Sequence, residues 1–251
     1  MTMHGRRDGA NASGLGRTQR NALDGWMRSG EVFEPASRRE QIVVALREAI
    51  IRGDIPPGAQ LKQDDLKDYF RSSPAPVREA LRQLESEGLV EHYLNRGAFV
   101  SEVSAEELMA VLLPVRLVVE RYALRKTASH LTDELVAQLT QQITLMQQGA
   151  KKGDIAAINE ADVRFHELTV LASDSFHTIQ LWKSVLPRIR AQFYQLAPRH
   201  QSLREIAAEH ESLLQCLTAG DGQALDAALQ QHIVETSSAL LPPEGPMAAP
   251  V

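Results

Sequence analysis

The chain has 251 residues, of which 43% are hydrophobic, and a formal net charge of −5 at pH 7. Its length exceeds one typical domain, so we expect two, and its single cysteine, Cys216, excludes an intrachain disulfide framework. No apolar run reaches the roughly 18 residues of a membrane span, and no signal-peptide pattern follows the early basic residues, so we expect a cytoplasmic protein with no membrane partner.

Charge divides unevenly along the chain. Residues 1–101 hold 15 Lys/Arg against 14 Asp/Glu, whereas residues 102–251 hold 12 against 18. The first part can therefore carry a locally basic face, and the acidic second part needs a different role. Residues 1–36 are rich in Gly, Asn, Ser and Arg and predict a flexible arm, while residues 242–251 predict a disordered tail.

Residues 37–103 predict three helices followed by a β-hairpin. Ser37 and Glu40 form a capping-box pattern that opens the first helix, and Gly53 ends it. "DIPPGAQL" predicts a turn, "QDDLKDYF" a short second helix, "RSSPA" a second turn, and "PVREALRQLESEG" a third helix that begins at Pro76. Two β-type runs, roughly 89–94 and 98–103, flank Asn95-Arg96-Gly97 and predict the hairpin. The third helix has an apolar stripe predicted to be buried: Val77, Ala80, Leu81 and Leu84.

Arg78 raises a question within the third helix. If that helix begins at Pro76, Arg78 lies in its first turn and faces the positive end of the helix dipole, at a cost of roughly 0.3–1 kcal/mol. The simpler explanation is a solvated charge, partly offset by Glu79; the alternative is an anion that docks there.

Three helices and a hairpin in this order are a winged helix-turn-helix, whose third helix enters the major groove of DNA. A phosphate or a guanine edge would compensate Arg78, and Arg82 would follow the same groove one turn later. Ser72 and Ser73 suit phosphate contacts from the turn, and Arg96 suits the tip of the wing. A winged helix used only for protein contacts is the alternative.

The motifs "I..G...PG..L", "PVREALR.LE.EGLV" and "NRGA.V" occur here in order. Over residues 38–103 the chain resembles the DNA-binding domain of the GntR superfamily of bacterial regulators. The resemblance implies that Arg78 contacts operator DNA and that Arg96 and Gly97 form the wing. The chain departs from the family pattern in two respects: Pro74 and Ala75 replace side chains that often contact DNA, and Lys67 replaces a small residue.

From residue 104 to 241 the pattern is helical throughout. Ser104 opens a helix to about residue 129 in which Pro114 should cause a kink or weaken one turn, and two further helices span about 132–149 and 154–173. A fourth helix is expected to break or bend near Pro187, and Gly220-Asp221-Gly222 separates two more. The predicted fold class is mainly α: a winged helix-turn-helix domain followed by an all-α antiparallel helical bundle.

Four residues of the second part form a candidate metal site. Asp162 and His166 lie four residues apart on one helical face, while His210 and His232 lie near the apolar stripes of two other helices. An isolated inward histidine is usually a core residue, but three with a carboxylate suit Zn²⁺, Ni²⁺ or a similar divalent ion. We expect His130, His177 and His200 to be structural or surface residues.

Residues 104–240 are similar to the FCD ligand-binding domain of the FadR branch of that superfamily. The similarity rests on Asp162, His166, His210 and His232 and on the run "VRLVVE". The resemblance implies a metal ion in a cavity, with coordination positions open to a small carboxylate effector. Arg116 is a candidate to hold the far end of that acid; a salt bridge to Glu120 is the equally weighted alternative.

The sequence therefore predicts a metabolite-responsive transcription regulator, most often a repressor in this family, that binds a pseudo-palindromic operator as a homodimer. One alternative is a metal-dependent enzyme, although the chain has no HExxH pattern and Glu167, the nearest candidate base, points away from His166. Another is a metal-free regulator that binds a longer apolar acid.

Overall fold

The protein is described by a computed structural model over residues 37–241. The predicted arm at 1–36 and the predicted tail at 242–251 lie outside the described residues. The chain divides into two compact units, one ending at Glu102 and the other beginning at Val103. Among the described helices, none is long and apolar enough to cross a membrane.

The first unit is a winged helix-turn-helix. Its elements are α1 (Arg38–Arg52), β1 (Gln60–Leu61), α2 (Gln63–Tyr69), α3 (Pro74–Ser86), β2 (Val90–Tyr93) and β3 (Gly97–Val100). The strands form an antiparallel sheet in the order β1-β3-β2. Strand β1 corrects the prediction of a simple turn at "DIPPGAQL", because Gln60 and Leu61 pair with β3.

Helix α1 begins and ends at the predicted residues. The Ser37 hydroxyl accepts a hydrogen bond from the Glu40 backbone N–H at 3.3 Å, and Gly53 takes the left-handed conformation with φ 82°. The Arg47 guanidinium donates two hydrogen bonds to the Glu87 carboxylate, at 2.7 and 2.6 Å. This bidentate pair joins α1 to the end of α3 and leaves the opposite face of α3 exposed.

Helix α3 buries the predicted stripe of Val77, Ala80, Leu81 and Leu84 but starts two residues early, at Pro74. Pro76 is therefore the third residue of the helix, where a missing N–H still costs nothing. Arg78 is the fifth residue and lies beyond the first turn, so the dipole cost inferred from a start at Pro76 was overestimated. Gly88, with φ 72°, ends the helix as predicted.

The second unit is a helical bundle. Its elements are α4 (Ala105–Glu107), a π-helical stretch (Leu108–Leu112), α5 (Leu113–Ala128), α6 (Asp133–Lys152), α7 (Ile155–Ala172), α8 (Phe176–Leu196), a 3₁₀ turn (Ala197–Arg199), α9 (Arg204–Ala219), α10 (Gly222–Gln230), a second π-helical stretch (Gln231–Glu235) and α11 (Thr236–Leu240). The main core includes Phe165, Leu113 and Leu213, and a smaller cluster surrounds Trp182.

The two prolines of the bundle behave differently. Pro114 follows the first π-helical stretch, so the α-helical pattern is interrupted where the sequence predicts a weakened turn. Pro187 lies inside α8, which continues through it, so of the predicted break or bend the break is wrong and the bend stays a prediction. The carbonyl that loses its partner belongs to Lys183, which is exposed, and solvent can replace the missing N–H there.

A close helix contact positions the helix that carries two candidate ligands. A Cβ added to Gly149 of α6 would lie 2.8 Å from Ile158 Cγ1 and 3.2 Å from the Asp154 carbonyl of the following turn. Because only glycine fits, α6 and α7 approach closely at this point, upstream of Asp162 on α7.

Candidate metal centre and candidate DNA-contact surface

The four side chains predicted to bind metal converge inside the second unit. Asp162 and His166 come from α7, His210 from α9 and His232 from the second π-helical stretch. One potential ligand atom from each lies within 4.8 Å of all the others. His166 Nε2 lies 3.1 Å from both His210 Nε2 and His232 Nε2, and His210 Nε2 lies 3.1 Å from Asp162 Oδ1.

Each histidine is oriented through its other ring nitrogen. His210 Nδ1 lies 2.7 Å from the Ile206 carbonyl oxygen, and His232 Nδ1 lies 2.7 Å from Glu209 Oε2. His166 Nδ1 lies 2.7 Å from Glu120 Oε2, although the angle is poor for a straight hydrogen bond. Carbonyl and carboxylate oxygens only accept, so Nδ1 carries a proton in each ring, and a ring that binds a metal ion in its neutral form would present the Nε2 lone pair to the centre.

The arrangement of the histidine Nε2 atoms and the Asp162 carboxylate favours a bound cation. Two Nε2–Nε2 contacts of 3.1 Å place acceptor against acceptor, beside the Asp162 carboxylate. An ion with ligand bonds of about 2.0–2.2 Å sets neighbouring ligand atoms about 2.8–3.1 Å apart in an octahedron and about 3.3–3.6 Å apart in a tetrahedron. The three contacts of 3.1 Å lie within this range, and the 3.9 Å between His166 Nε2 and Asp162 Oδ1 lies above it. Three imidazoles and one carboxylate fit a borderline divalent ion such as Zn²⁺ or Ni²⁺.

The ionisation of the cluster also favours a cation. Burial raises the pKa of Asp162, but the hydrogen bond from His210 and the positive charges of the protonated His210 and His166 rings and of Arg116 outweigh burial and lower it overall. Burial likewise acts against the Glu120 carboxylate, yet Arg116 and His166 lower its pKa to about 2. Burial lowers the pKa of His232 to about 4 despite Glu209, so this ring is neutral at pH 7 and able to bind a metal ion.

Sequence reasoning missed the two orienting carboxylates, Glu120 and Glu209. Glu209 accepts from His232 Nδ1 and from the Thr236 hydroxyl, both at 2.7 Å. The sequence carries only a general signal, because a ligating imidazole needs an acceptor for its second nitrogen but nothing in the sequence says which residue supplies it. The π-helical turn around His232 was also missed; its wider winding shifts the phase of the helix at a candidate ligand.

A cavity of about 50 Å³ adjoins the cluster and includes Asp162 and His232 in its lining. Arg116 lines it as well, and its Nε donates to Glu120 Oε1 at 2.7 Å, so the salt bridge weighed as the alternative role is present. Its Nη2 is buried without a hydrogen-bond partner, as is Nδ2 of Asn159 in the same lining. Two unpaired donors thus remain near the candidate ligands.

The cavity continues into a larger groove. His200, Glu209, Thr236 and Leu240 line both the cavity and an open groove of about 670 Å³. His200 was expected to be a structural or surface residue; it lies at this junction, with Nδ1 3.5 Å from Glu205 Oε2.

Glu167 does not belong to the cluster. Its carboxylate accepts a hydrogen bond from Arg164 Nη1 at 2.6 Å on the half-exposed side of α7. His130 is exposed and bonds locally to Ser129, and His177 is also exposed.

The candidate DNA-contact residues lie on the first unit, and all are exposed except Ser72, which is half-buried. Arg78 and Arg82 on α3 have no hydrogen-bond or ion-pair partner within residues 37–241. Ser73 caps α3 without using its hydroxyl, whereas the Ser72 hydroxyl donates to the Ser73 carbonyl at 3.2 Å. Two cations without partners on one helical face leave α3 ready to bind an anion.

The wing is held by several local interactions. Gly97 has φ 89° and Asn95 φ 61°, a region that favours glycine and asparagine, and the Arg96 N–H donates to the Tyr93 carbonyl at 3.0 Å. Gln60 Nε2 donates to the Arg96 carbonyl at 2.8 Å, and the Arg96 guanidinium lies 5.6 Å from the Tyr93 ring centroid. Arg96 is therefore exposed but preoriented.

Comparisons with known proteins agree with this architecture. Residues 38–100 match the family model described as bacterial regulatory proteins, gntR family, and residues 111–235 match the FCD domain model. The chain is 28% identical to the HTH-type transcriptional repressor RspR of Escherichia coli K12, over 80% of this chain and 88% of the relative. It is 27% identical to the gluconate operon transcriptional repressor of Bacillus licheniformis, over 78% and 82% of the two chains.

Solved structures show the same fold. A GntR transcriptional regulator from Rhodococcus sp. RHA1 superposes with a TM-score of 0.69 and 26% identity, covering 82% of this chain and 98% of the other. E. coli McbR/YncC matches with the same TM-score and coverage at 23% identity.

Proposed function

The chain belongs to the GntR family of bacterial transcription regulators and carries an FCD domain, and from this membership we propose that it is a repressor controlled by a small organic acid. Its family and fold are those of transcription regulators and not of enzymes. Two relatives are named as repressors, which supports this direction of control.

Operator recognition is proposed to use the exposed face of α3 and the wing. Arg78 reads a base edge or a phosphate in the major groove, Arg82 follows the phosphate backbone, and Ser72 and Ser73 contact phosphates from the preceding turn. Arg96 contacts the minor groove or the backbone, and Gly97 gives the wing its shape. Two copies bind the two halves of a pseudo-palindrome in the cytoplasm, where the bacterial chromosome lies.

Effector binding is proposed to use the cluster in the second unit. Asp162, His166, His210 and His232 would hold a divalent ion, which would supply positive charge and coordination positions for a carboxylate. Arg116 Nη2 and Asn159 Nδ2 donate to other oxygens of the same anion, because both donors are buried and unpaired. Gluconate, which the name of one relative mentions, belongs to this chemical class.

The observation that carries this proposal is the convergence of three Nε2 atoms and one carboxylate oxygen, with every Nδ1 facing an acceptor. Such a cluster without a cation is electrostatically unfavourable, whereas a cation satisfies all four groups. The cavity of about 50 Å³ has room for only a few water-sized groups, which favours a short polar acid over the longer apolar acid of the metal-free alternative.

The acid controls transcription only if it binds one arrangement of the protein better than the other. The difference in its affinity for the two arrangements sets the change in operator affinity, typically 1–3 kcal/mol.

The test begins by selecting a binding sequence from random DNA with metal-loaded protein. Fluorescence anisotropy then gives the operator affinity with and without each of a panel of short hydroxy- and dicarboxylic acids. We expect one acid to change the affinity about 5–150-fold for metal-loaded protein, and not for chelator-treated protein or Asp162→Asn. The control Glu167→Gln should respond as the wild type does. An equal response without metal would contradict the proposed site, and failure to select any sequence would contradict DNA recognition.

A further inference from the structure

The cavity beside the histidine cluster is lined by two polar side chains, besides Arg116 and Asn159, that lack a partner. Gln192 of α8 is 8% exposed and Ser237 of α11 is 9% exposed, and both line the cavity of about 50 Å³. Neither side chain has a hydrogen-bond or ion-pair partner in the part of the chain that the structure describes. Buried polar side chains in native proteins are nearly always paired, so two unpaired ones in one small cavity indicate a bound polar molecule.

The amide of Asn159 has only its donor end free. Arg190 Nε donates to Asn159 Oδ1 at 3.3 Å, so the oxygen is engaged, while Nδ2 is buried without a partner. Arg190 also forms an ion pair with Glu160, so its charge is already compensated. Arg116 Nη2 is the second buried donor without a partner. Because both free groups can only donate, they match oxygen atoms of a ligand and do not distinguish a carboxylate from a hydroxyl.

Gln192 and Ser237 do make this distinction, because each of them can also accept a hydrogen bond. The amide of Gln192 accepts at Oε1 and donates at Nε2, and the Ser237 hydroxyl does both. A ligand hydroxyl likewise donates and accepts, so it can pair with either side chain. A carboxylate only accepts and would leave Gln192 Oε1 without a donor, and a methyl group would pair with neither. This part of the lining therefore favours a hydroxyl group.

The charges around the cavity favour a ligand with a single carboxylate. A divalent ion and Arg116 would together supply three positive charges, and Asp162, Glu120 and Glu209 supply three negative ones. Among the described side chains of the lining, no further cation is unpaired, since Arg190 is compensated. The ion would hold one carboxylate, whereas a second carboxylate would be buried without a counter-ion, which is costly.

We propose that the cavity selects a short monocarboxylic acid that carries a hydroxyl group, and that Gln192 and Ser237 recognise this hydroxyl. The inference deepens the proposed function and rests on it, because the ion held by the cluster binds the carboxylate. A cavity of about 50 Å³ accepts only a few water-sized groups, which suits an acid of about three carbons. A dicarboxylic acid of the same size, or an acid with a methyl group in place of the hydroxyl, binds more weakly.

The first test is isothermal titration calorimetry of the zinc-loaded full chain with two matched pairs of acids. Lactate and 2-methylpropanoate have the same number of non-hydrogen atoms and differ by a hydroxyl in place of a methyl. Glycerate and malonate also match in size, but malonate carries a second carboxylate. We expect lactate to bind at least about tenfold more tightly than 2-methylpropanoate, and glycerate at least about tenfold more tightly than malonate. Equal affinities within either pair, or no binding of lactate and glycerate, would overturn the proposal.

The second test removes the two hydroxyl contacts one at a time. Gln192→Leu, which is close in size, and Ser237→Ala should each weaken lactate binding about tenfold and leave the affinity for 2-methylpropanoate unchanged. The matched controls are Gln180→Leu on the exposed side of α8 and Ser238→Ala, the exposed neighbour of Ser237, and both should bind the two acids as the wild type does.

A purely structural role for these side chains would give a different result. Gln192→Leu and Ser237→Ala would then weaken both acids alike or keep the full preference for lactate, and either outcome would overturn the proposal. Elemental analysis confirms the zinc content of each variant. Should Gln192→Leu lose zinc or the helical circular dichroism of the wild type, Ser237→Ala, which removes one oxygen atom, decides the result in its place.

Operator affinity, measured by fluorescence anisotropy, separates failure of this inference from failure of the proposed function. If lactate and glycerate bind with the expected preference but no acid changes the operator affinity, the hydroxyl contacts stand and the proposed control of DNA binding fails. If 2-methylpropanoate changes the operator affinity as strongly as lactate does at the same concentration, the proposed control stands and the hydroxyl contacts of Gln192 and Ser237 are excluded.

Discussion

The exposed face of α3 and the histidine cluster of the bundle are built in opposite ways. Arg78 and Arg82 are exposed and have no partner among the described residues, whereas every ring of the cluster is fixed through a second group such as Glu120 or Glu209. A surface that meets a large anion must remain free until the anion arrives. A site that selects a small ion must be formed beforehand, so its residues also become part of the fold.

This contrast predicts that mutations in the two regions act on different quantities. Replacing a residue of the α3 face should change DNA affinity and leave the free energy of unfolding unchanged. Replacing a residue of the cluster, or one that orients it, should change both metal content and stability.

The largest effect is expected for Glu120→Ala. This substitution leaves the buried Arg116 guanidinium without its carboxylate and His166 Nδ1 without an acceptor, so the free energy of unfolding should fall by about 3–5 kcal/mol in urea denaturation. Glu167→Ala is the control on a neighbouring helix: it breaks the half-exposed pair with Arg164 and should cost about 0–1 kcal/mol. A loss below about 1 kcal/mol for Glu120→Ala would contradict this prediction, because it would mean that the buried contacts of Glu120 contribute no more to stability than an exposed ion pair does.

Metal loading should give the next largest effect. At a free Zn²⁺ concentration of 100 times its dissociation constant, the folded protein should gain about 2.7 kcal/mol over chelator-treated protein. Urea denaturation of the two samples measures the gain, with elemental analysis as a check on loading. Asp162→Asn should lose most of it and Arg78→Ala none. A full gain in Asp162→Asn would place the ion elsewhere.

The chelator-treated protein should also lose stability as the pH falls from about 6.5 toward 4. His232 has its folded pKa lowered to about 4, below the unfolded value of 6.5, so the unfolded chain takes up a proton that the folded chain does not. Stability should fall by up to about 1.4 kcal/mol per pH unit in this window. Denaturation of His232→Asn should show a shallower slope, and the exposed-site variant His130→Asn should keep that of the wild type.

For the α3 face, Arg78→Ala should weaken binding to the selected operator by about 1–3 kcal/mol. The reason is the loss of a bidentate contact to a base or of a charge-assisted contact to a phosphate, and anisotropy measures it. The melting temperature should stay unchanged, because Arg78 contacts nothing that holds the unit together. Arg52→Ala, on the last turn of α1, removes an exposed arginine from another helix and should bind as the wild type does. Equal losses for both variants would mean that only net charge matters.

The sequence predicts most of the first unit because its signals are local. Ser37 and Gly53 mark the ends of α1, and the spacing of Val77, Ala80 and Leu81 defines the buried face of α3. Strand β1 could not be predicted from local signals, because two residues carry no periodicity and their pairing with β3 is a long-range contact. The start of α3 at Pro74 was missed because both Pro74 and Pro76 satisfy the rule for a first turn.

In the second unit the candidate ligands could be predicted, but the groups that orient them could not. Histidines on apolar stripes are visible in a sequence, whereas Glu120 and Glu209 resemble any other helical glutamates until their partners are known. For Arg116 the sequence leaves two roles open, a salt bridge to Glu120 and a contact with the effector. The structure shows that one side chain can serve both, because Nε donates to Glu120 and Nη2 is left unpaired. At Pro187, where the sequence predicts a break or a bend, α8 continues as a helix, and its residues Trp182, Val185 and Ile189 on both sides of the proline are buried in one cluster, a tertiary context that a local rule does not include.

The smallest effect is expected for Arg82, and its measurement distinguishes the roles of the two arginines on the exposed face of α3. We expect it to contact a phosphate, so Arg82→Ala should weaken binding to all sequences by a similar factor. It should also lower the slope of log affinity against log salt by about 0.9, the value for one phosphate contact. Anisotropy on the selected operator and on a scrambled duplex, each over a range of salt concentrations, separates the two arginines, because Arg78→Ala should reduce the preference between the duplexes. If Arg82→Ala instead reduces the preference for the selected operator over the scrambled duplex, Arg82 contacts a base and not only a phosphate. Base contacts would then extend along the exposed face of α3 from Arg78 to Arg82.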